Sequence, residues 1–287
     1  MKYNKTKYKV AVLLAGQSRT YKICLPSIQS FFSPTFSSIE NGGVEIEVDY
    51  FMHTWDVNLW LNTSKEKTMP RYLTGLEPAF VEREYIEKKL KSLKGLIVEQ
   101  FDRANLHNVW GPILYSSYRV NKMKCDFENE NGFTYDLVIR TRPDIIFPPS
   151  SKMNYDNNQI EHRTIYTLGH YGKMKYELFI SNTDDVAYMG DSATMNTAAN
   201  LYSYAGFKGF YPSYNYIPGD TSNISPEQHL GPGTLMTRYL HQVNIDTTSV
   251  HKPYGFSVIR KSALDLNLNY EENYHELVEL SKEFYIE

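Results

Sequence analysis

The chain has 287 residues and a mass of 33.4 kDa, enough for one large domain or two small ones. Hydrophobic residues make up 41% and aromatic residues 14% of the chain, which excludes disorder as the main state. The 30 Lys and Arg against 33 Asp and Glu give a net charge of −3, and the sequence has no long basic run. We therefore expect neither a nucleic-acid-binding surface nor a polybasic membrane anchor.

The cysteines and the first residues bear on the cellular compartment. Cys24 and Cys125 are the two cysteines, which excludes a Cys-rich zinc site or a disulfide scaffold and favours a reducing compartment. After the basic start, only Val10 to Ala15 is apolar, which is too short for a signal-peptide core or a membrane span. We expect a cytoplasmic, unprocessed protein with no transmembrane segment.

The first part of the chain alternates between strand and helix patterns. Val10 to Gly16 is an apolar run closed by glycine, which is typical of a strand buried on both faces of a mainly parallel sheet. The spacing predicts a helix over Tyr21 to Phe32 despite Pro26, and then a second strand over Glu45 to His53. The polar stretch from Asn62 to Pro78 indicates a long loop.

The alternation continues through the middle of the chain. Glu82 to Leu93 is predicted as a helix, because it carries an apolar stripe and Glu-to-Lys pairs four residues apart. Strands are predicted over Leu96 to Phe101 and over Asp136 to Phe147, with a helix from about Val109 to Phe127 between them. The second of these strands should break at Pro143, since proline cannot donate to a strand ladder. The pattern predicts an open α/β sheet.

The chain becomes richer in Tyr, Asn, Gly and Pro after residue 149, and its periodic segments become shorter. The elements predicted here are a strand over Arg163 to Thr167, a strand over Val186 to Met189, a helix over Asp191 to Tyr204, a helical piece after Ser225 and a helix over Tyr274 to Phe284. We predict one domain with an α/β front half and an irregular back half.

Several catalytic signatures do not occur in the sequence. It contains no Gly-x-Gly-x-x-Gly, no P-loop, no His-Glu-x-x-His and no Cys-x-x-Cys. The segment from Gly16 to Thr20 nearly matches the Gly-x-Ser-x-Gly nucleophile elbow, but its last position is threonine. A hydrolase that used Ser18 would also need a strained turn and a histidine within reach of the hydroxyl, so we set this function aside.

The same segment follows the first strand, where open α/β sheets bind ligands. Gly16 permits a close backbone approach, and Arg19 can reach a phosphate, so a nucleotide diphosphate would fit there. In the alternative interpretation, Gly16 only makes the turn and Arg19 is a surface cation.

Arg140-Thr-Arg-Pro-Asp144 places three charges at the end of an apolar strand. Burying charges costs several kcal/mol unless they are paired, so an anionic partner would explain them. The forks of Arg140 and Arg142 match phosphate oxygens, and the carboxylate of Asp144 could hold a divalent cation that bridges the same diphosphate. The alternative is an internal Arg-to-Asp ion pair that fastens the strand to a neighbour.

Two later carboxylates are candidates for contact with a substrate. Asp191 is placed either to cap a helix or to touch a substrate. Glu227 is either a first-turn glutamate favoured by the helix dipole or a general base for an acceptor hydroxyl, with His229 as a weaker rival. His53 and Trp55 end the second strand at the same edge of the sheet, and core packing explains Trp55 as well as ligand stacking does.

Four segments together resemble a known group of proteins. They are Val10 to Tyr21, Asp49 to Trp55, Tyr135 to Ile145 and Pro226 to Leu230. In their order along the chain, they resemble glycosyltransferase-like proteins of bacterial surface-polysaccharide clusters and large viruses. This resemblance implies the GT-A nucleotide-diphospho-sugar transferase fold, a Rossmann-like sheet with flanking helices. It also implies that residues 1–148 bind the nucleotide and residues 149–287 face the acceptor, in the host cytoplasm if the source is viral.

Such enzymes usually present Mn²⁺ or Mg²⁺ on an Asp-x-Asp motif, and here the corresponding stretch has one Asp, Asp144, and two Arg. The resemblance therefore predicts transfer of a sugar from a nucleotide-diphospho-sugar to a hydroxyl acceptor, with a metal at Asp144 or with arginines in its place. Gly16, Gln17, Arg19, Arg140, Arg142 and Asp144 are the residues predicted to bind the donor, with Glu227 and Asp191 as catalytic candidates. The alternative is a non-catalytic nucleotide-binding, sugar-binding or structural protein with the same fold.

Overall fold

The structure is a computed structural model. It describes residues 7–18, 20–34, 45–56, 80–100, 111–155, 160–168, 186–207, 232–250, 257–258 and 270–282. Among these residues, no helix combines the length and the apolar character that crossing a membrane requires.

Within the described ranges, seven strands form one sheet in the order β3-β2-β1-β4-β7-β6-β8. These strands are β1 (Lys7–Ala15), β2 (Glu45–Trp55), β3 (Leu93–Glu99), β4 (Leu137–Thr141), β6 (Thr164–Thr167), β7 (Ala187–Gly190) and β8 (Asp246–Ser249). Strands β1 to β4 run parallel to one another, β7 runs antiparallel to both β4 and β6, and β8 is parallel to β6. The predicted α/β architecture with a mostly parallel sheet is confirmed.

The helices cover both faces of this sheet. They are α1 (Tyr21–Phe32), α2 (Arg83–Lys89), α3 (Gly111–Asn131), α4 (Ser192–Ala199), α5 (Leu201–Phe207), α6 (Pro232–Gln242) and α7 (Tyr270–Lys282). Because strand side chains alternate between faces, Val12 of β1 packs with Ile28 of α1 in one apolar cluster, while Leu13 packs with Val120 of α3 in the other. The central strands are therefore buried on both faces, as the continuous apolar run predicted.

Two predicted boundaries are wrong at the start of β3. The helix predicted over Glu82 to Leu93 ends at Lys89, and the strand predicted from Leu96 begins at Leu93. Ser92 adopts a positive φ of 61°, which turns the chain out of the helix. Gly95 lies within the strand rather than at a helix end, in a tight space where an added Cβ would come within 3.2 Å of Phe51.

The break at Pro143 is confirmed, since β4 ends at Thr141. The chain resumes as β5 (Ile145–Ile146), which pairs with β9 (Ser257–Val258) in a separate two-stranded sheet. The helix predicted from Asp191 to Tyr204 is divided into α4 and α5 at Asn200. The long loop predicted from Asn62 to Pro78 and the first residues of the helical piece after Ser225 lie outside the described residues.

The order of the strands creates a reversal point between β1 and β4. From β1 the chain builds outward through β2 to β3, and then returns to place β4 on the other side of β1. In open α/β sheets, ligands bind outside the carboxyl ends of the strands at such a point. The residues that follow β1 and β4 therefore lie where a ligand is expected to bind.

Candidate functional site

The glycine turn after β1 lies against the break after β4. Gly16 has a φ of 131°, a conformation that favours glycine, and its N–H donates to the carbonyl of His53 at 3.3 Å. A Cβ placed on Gly16 would come within 3.9 Å of Cδ of Pro143. The two segments that the sequence singled out therefore meet at the reversal point of the sheet.

Arg140 is a charged residue inside the sheet, with only 2% of its surface exposed. Its guanidinium lies over the ring of Tyr188, with 5.6 Å between Cζ and the ring centroid. It also donates, at a long 3.5 Å, to the carbonyls of Ala15 and Val186. These contacts place a positive charge beside the carboxyl end of β1.

Arg142 and Asp144 form an ion pair with each other. Nε and Nη2 of Arg142 donate to the two carboxylate oxygens of Asp144, each at 2.7 Å, and Asp144 is fully buried. The alternative of an internal Arg-to-Asp pair is therefore confirmed for these two residues, although the pair lies within one segment rather than linking two strands.

This pairing does not fit the metal predicted at Asp144. Both oxygens of the carboxylate already accept hydrogen bonds from a guanidinium, which would repel a divalent cation. In the part of the chain that the structure describes, no three His, Cys, Asp or Glu side chains gather in a way that could hold a metal ion.

The remaining residues of the first-strand turn have different environments. Gln17 is partly exposed beside Gly16, at the carboxyl end of β1. Ser18 is fully buried, and its hydroxyl shares a 2.6 Å hydrogen bond with the hydroxyl of Thr54. A nucleophilic serine must be exposed, so this environment argues against the hydrolase. Arg19 and Glu227 lie outside the described residues, and their roles stay predictions.

Asp191 lies at the other end of the strands, near the amino end of β4. Because β7 runs antiparallel to β4, its last residue, Gly190, pairs with Val138 near the start of β4. The carboxylate of Asp191 accepts from the backbone N–H of Thr194 at 2.7 Å and lies 2.8 Å from Nδ1 of His162. The predicted cap is confirmed, and the structure does not bring Asp191 together with Gly16 and Arg140.

The ionisation of Asp191 agrees with the capping role. Partial burial alone would raise its pKa, but the hydrogen bonds from Thr194 and His162 outweigh this, so the pKa lies below the ordinary value. The carboxylate is therefore charged where the N-terminus of α4 favours a negative charge.

A polar cluster, which the sequence did not predict as a unit, lies at the ends of β2 and β3. The ring of His53 is fully buried, with Nε2 2.7 Å from Oε2 of Glu99 and Nδ1 2.8 Å from the hydroxyl of Ser116. The other carboxylate oxygen of Glu99 accepts from the hydroxyl of Tyr115 at 3.1 Å and lies 3.4 Å from Arg119. Three side chains from two elements thus surround one carboxylate, which remains 31% exposed.

Burial sets the charge state of this cluster. It lowers the pKa of His53 below its ordinary value, although the hydrogen bond to Glu99 acts in the opposite direction. Burial would raise the pKa of Glu99, but the hydrogen bond from His53 and the charge of Arg119 bring it below its ordinary value. At neutral pH, a neutral His53 therefore donates its Nε2 proton to an ionised Glu99. The hydroxyl of Ser116, which donates to the backbone carbonyl of His53 at 3.2 Å, lies next to Nδ1.

Aromatic rings adjoin the cluster. Trp55 stacks on Tyr115 with 5.7 Å between ring centroids, and Tyr115 meets the ring of Tyr202 edge-on at 5.2 Å. Tyr118 lies beside Tyr202 at 5.7 Å. Trp55 is 2% exposed, so packing accounts for this residue, whereas the three tyrosines are partly exposed.

No known protein family matches the chain. A comparison with characterised proteins likewise finds no significant match. The resemblance to glycosyltransferase-like proteins therefore stays a prediction, and any function must be argued from the geometry of the site.

The sequence carried only a partial signal for the polar cluster. Glu99 ends the apolar run that forms β3, a position at which a charge is unusual, and Tyr115 and Arg119 are one helical turn apart. The sequence did identify the end of β2, with His53, as part of the same edge. What it could not supply is the convergence of α3 on β3, because that contact depends on how the helix packs across the sheet.

Proposed function

We propose that the protein is a glycosyltransferase of the GT-A type, which moves a sugar from a nucleotide-diphospho-sugar to a hydroxyl acceptor in glycan or surface-polysaccharide synthesis. The observation that carries this proposal is the meeting of the glycine turn of β1 with the arginine-bearing segment of β4 at the reversal point of the sheet. Open α/β sheets bind nucleotides and other phosphate ligands at this location.

The chemistry of sugar transfer suits cations at this point. When the bond from the sugar to the diphosphate breaks, negative charge develops on the leaving nucleoside diphosphate, and fixed positive groups stabilise it. Arg140 lies beside the end of β1, and Asp144 holds the guanidinium of Arg142 in one orientation. A fixed guanidinium loses less entropy on binding a phosphate, which supports a role without a metal.

The described residues enclose only a small cavity at Arg140. It has a volume of about 20 Å³, room for a single water, and Tyr188 and Tyr202 contribute to its lining. In this proposal, the donor therefore occupies the open crevice outside the strand ends, with its diphosphate near Gly16 and Arg142.

The first test is direct binding of the donor. UDP-, GDP-, CMP- and dTDP-sugars are titrated by calorimetry, with and without Mn²⁺, and any ligand that binds is then assayed for hydrolysis and transfer. We expect one nucleotide class to bind, and Arg142→Ala to weaken it at least about tenfold, because a charged hydrogen bond contributes roughly 1.5–3 kcal/mol. Arg83→Ala, which removes an exposed arginine of α2, is the matched control. Failure of all four classes to bind would contradict the proposal.

A second candidate function is binding without catalysis. It is favoured by the pairing of Asp144 with Arg142, which occupies the carboxylate that a metal-dependent transferase would use. The same titrations separate the two functions. A nucleotide sugar that binds but is neither hydrolysed nor transferred to any acceptor would favour the non-catalytic protein.

A further inference from the structure

Glu99, at the carboxyl end of β3, has a carboxylate that is both fixed and partly open to solvent. His53 from β2 and Tyr115 and Arg119 from α3 direct their polar atoms at it, yet 31% of the side chain stays exposed. Asp144 offers a contrast, because it is fully buried with both oxygens on one guanidinium. An exposed carboxylate normally moves among several rotamers, whereas donors from two elements hold Glu99 in place.

This arrangement leaves room for a ligand on the carboxylate. Its two oxygens provide about four lone-pair positions. Oε2 accepts from His53, and Oε1 accepts from Tyr115 with a weaker contact to Arg119. Oε2 therefore has room for one further donor, and Oε1 gains room for one when Arg119 gives up its long 3.4 Å contact and turns to the ligand. Because the side chain is already ordered, binding incurs little of the usual entropy cost.

The geometry points to a subsite for two neighbouring hydroxyl groups of a sugar ring. We propose that the carboxylate of Glu99 accepts one hydrogen bond on each oxygen from a vicinal diol, while Arg119 is placed to donate to a ring or hydroxyl oxygen. The partly exposed rings of Tyr115, Tyr118 and Tyr202 provide flat apolar surfaces for the C–H face of the sugar. Glu99 would repel a ligand with a negative charge at this point and Arg119 one with a positive charge, so the recognised group is neutral.

The diol can belong to a ribose or to a free sugar. Glu99 ends β3, which is three strands away from β4, a separation of about 14 Å at the usual strand spacing. A nucleoside diphosphate is shorter than this, so its ribose binds at β3 and its phosphates at β4 only if the side chains of Glu99 and Arg142 cover the remaining distance. In this form the inference rests on the proposed function. A pyranose that binds alone would occupy the same subsite without any nucleotide.

The experiment compares ligands that differ only in one hydroxyl. Calorimetric titrations use UDP, GDP and CDP with their 2′-deoxy and 3′-deoxy counterparts in one arm. The other arm uses the methyl glycosides of glucose, galactose and mannose with their 3-deoxy counterparts, which have no vicinal diol. We expect ligands with the intact diol to bind about tenfold or more tightly than the deoxy forms, because a missing hydroxyl leaves a charged acceptor unpaired. Glu99→Gln should remove most of this discrimination, since an NH2 group, which can only donate, replaces one of the two acceptor oxygens.

Two further variants make the test specific. Glu130→Gln neutralises an exposed glutamate of α3 and should leave the discrimination unchanged. Tyr115→Phe should reduce the discrimination in part, because it removes one donor that orients the carboxylate, and it keeps the test available if Glu99→Gln does not fold.

The outcomes separate the subsite from the transferase. Equal affinity for diol and deoxy ligands, discrimination that survives in Glu99→Gln, or no binding in either arm would overturn the subsite. Nucleotide binding without discrimination would overturn the subsite but leave the transferase standing. Discrimination among monosaccharides alone, with no nucleotide bound, would support the subsite and count against the proposed donor.

Discussion

Single tyrosine hydroxyl groups in the core differ in how much they contribute to the stability of the fold. Tyr135 donates to the buried carboxylate of Asp49 at 2.8 Å, with Lys94 3.4 Å from the other oxygen. The hydroxyl of Tyr50 is buried and has no hydrogen-bond partner among the described residues. A buried polar group without a partner costs free energy, whereas a satisfied one stabilises the fold.

We therefore expect loss of the hydroxyl to change the free energy of unfolding differently at the two tyrosines. Tyr135→Phe should lower the free energy of unfolding by about 1–3 kcal/mol, because the Asp49 carboxylate loses a donor while it stays buried. Tyr50→Phe should leave it unchanged or raise it by up to about 1 kcal/mol. Urea unfolding followed by circular dichroism measures both, with each variant serving as the control for the other. A large loss in Tyr50→Phe would show that its hydroxyl has a partner.

The residue types at the end of β4 were informative about the position of the candidate site. The charges there identified a segment that lies beside Gly16 in the structure. They could not distinguish an anion site from an internal pair, because Arg142 and Asp144 carry the same charges in either case. Only the 2.7 Å distances between their atoms decide which partner each one has.

At the scale of elements, the N-terminus of α4 gives a clear prediction. Asp191→Ala should reduce the free energy of unfolding by about 1 kcal/mol, because the helix loses its capping acceptor. Asp191→Asn, which retains a capping oxygen, should lose only a fraction of this and is the matched control. Chemical unfolding measures the stability, and the donor assay measures activity.

Activity in the donor assay should not change in either variant, because Asp191 lies at the edge of the sheet opposite Gly16. Loss of turnover in Asp191→Ala with an unchanged melting temperature would instead support the catalytic role that the sequence proposed.

Helices and strands with strong patterns were predictable from the sequence. The helix over Tyr21 to Phe32 has the predicted bounds, because its apolar spacing and the following Ser-Pro both act locally. The end of the helix that contains Lys89 was not predictable in the same way. Leu90 and Leu93 continue the apolar stripe, but Leu93 instead pairs with Tyr50 of the neighbouring strand β2. A contact distant in sequence therefore overrides a local helix preference.

At the scale of the whole molecule, the buried His53 should make stability depend on pH. Its pKa is lowered by folding, so below about pH 6.5 the unfolded chain binds a proton that the folded protein does not. The stability is therefore fully present above that pH and decreases as the pH falls toward the folded pKa. Glu99, whose pKa is also lowered, adds a further loss at lower pH, below its ordinary value.

The measurement is urea unfolding at pH 7.5 and pH 5.5. Wild type should lose stability between these values, by at most about 1.4 kcal/mol per pH unit for one proton. His53→Gln, which can still donate to Glu99, should lose less over the same interval. His275→Gln removes an exposed histidine and is the matched control. An equal loss in wild type and His53→Gln would show that His53 titrates normally in the folded protein.

The architecture as a whole followed from the sequence more readily than the site did. Alternating apolar runs and amphipathic segments specified a mostly parallel sheet, because such runs can be buried only between two layers of helices. The reversed direction of β7 and the order of the last strands depend on pairings such as Thr164 with Asp246, which no local pattern encodes. The polar cluster at Glu99 depends on a different long-range arrangement, the packing of α3 against β2 and β3.

The position of β1 in the sheet bears on how the chain acquires its shape. Its neighbours are β2 and β4, and β4 begins at Leu137, so one side of β1 stays unpaired until β4 has been synthesised. Contacts between residues so far apart close large loops and form slowly. On the ribosome, the hydrophobic β1 segment thus stays partly exposed until β4 pairs with it. During that time it is a natural target for a chaperone.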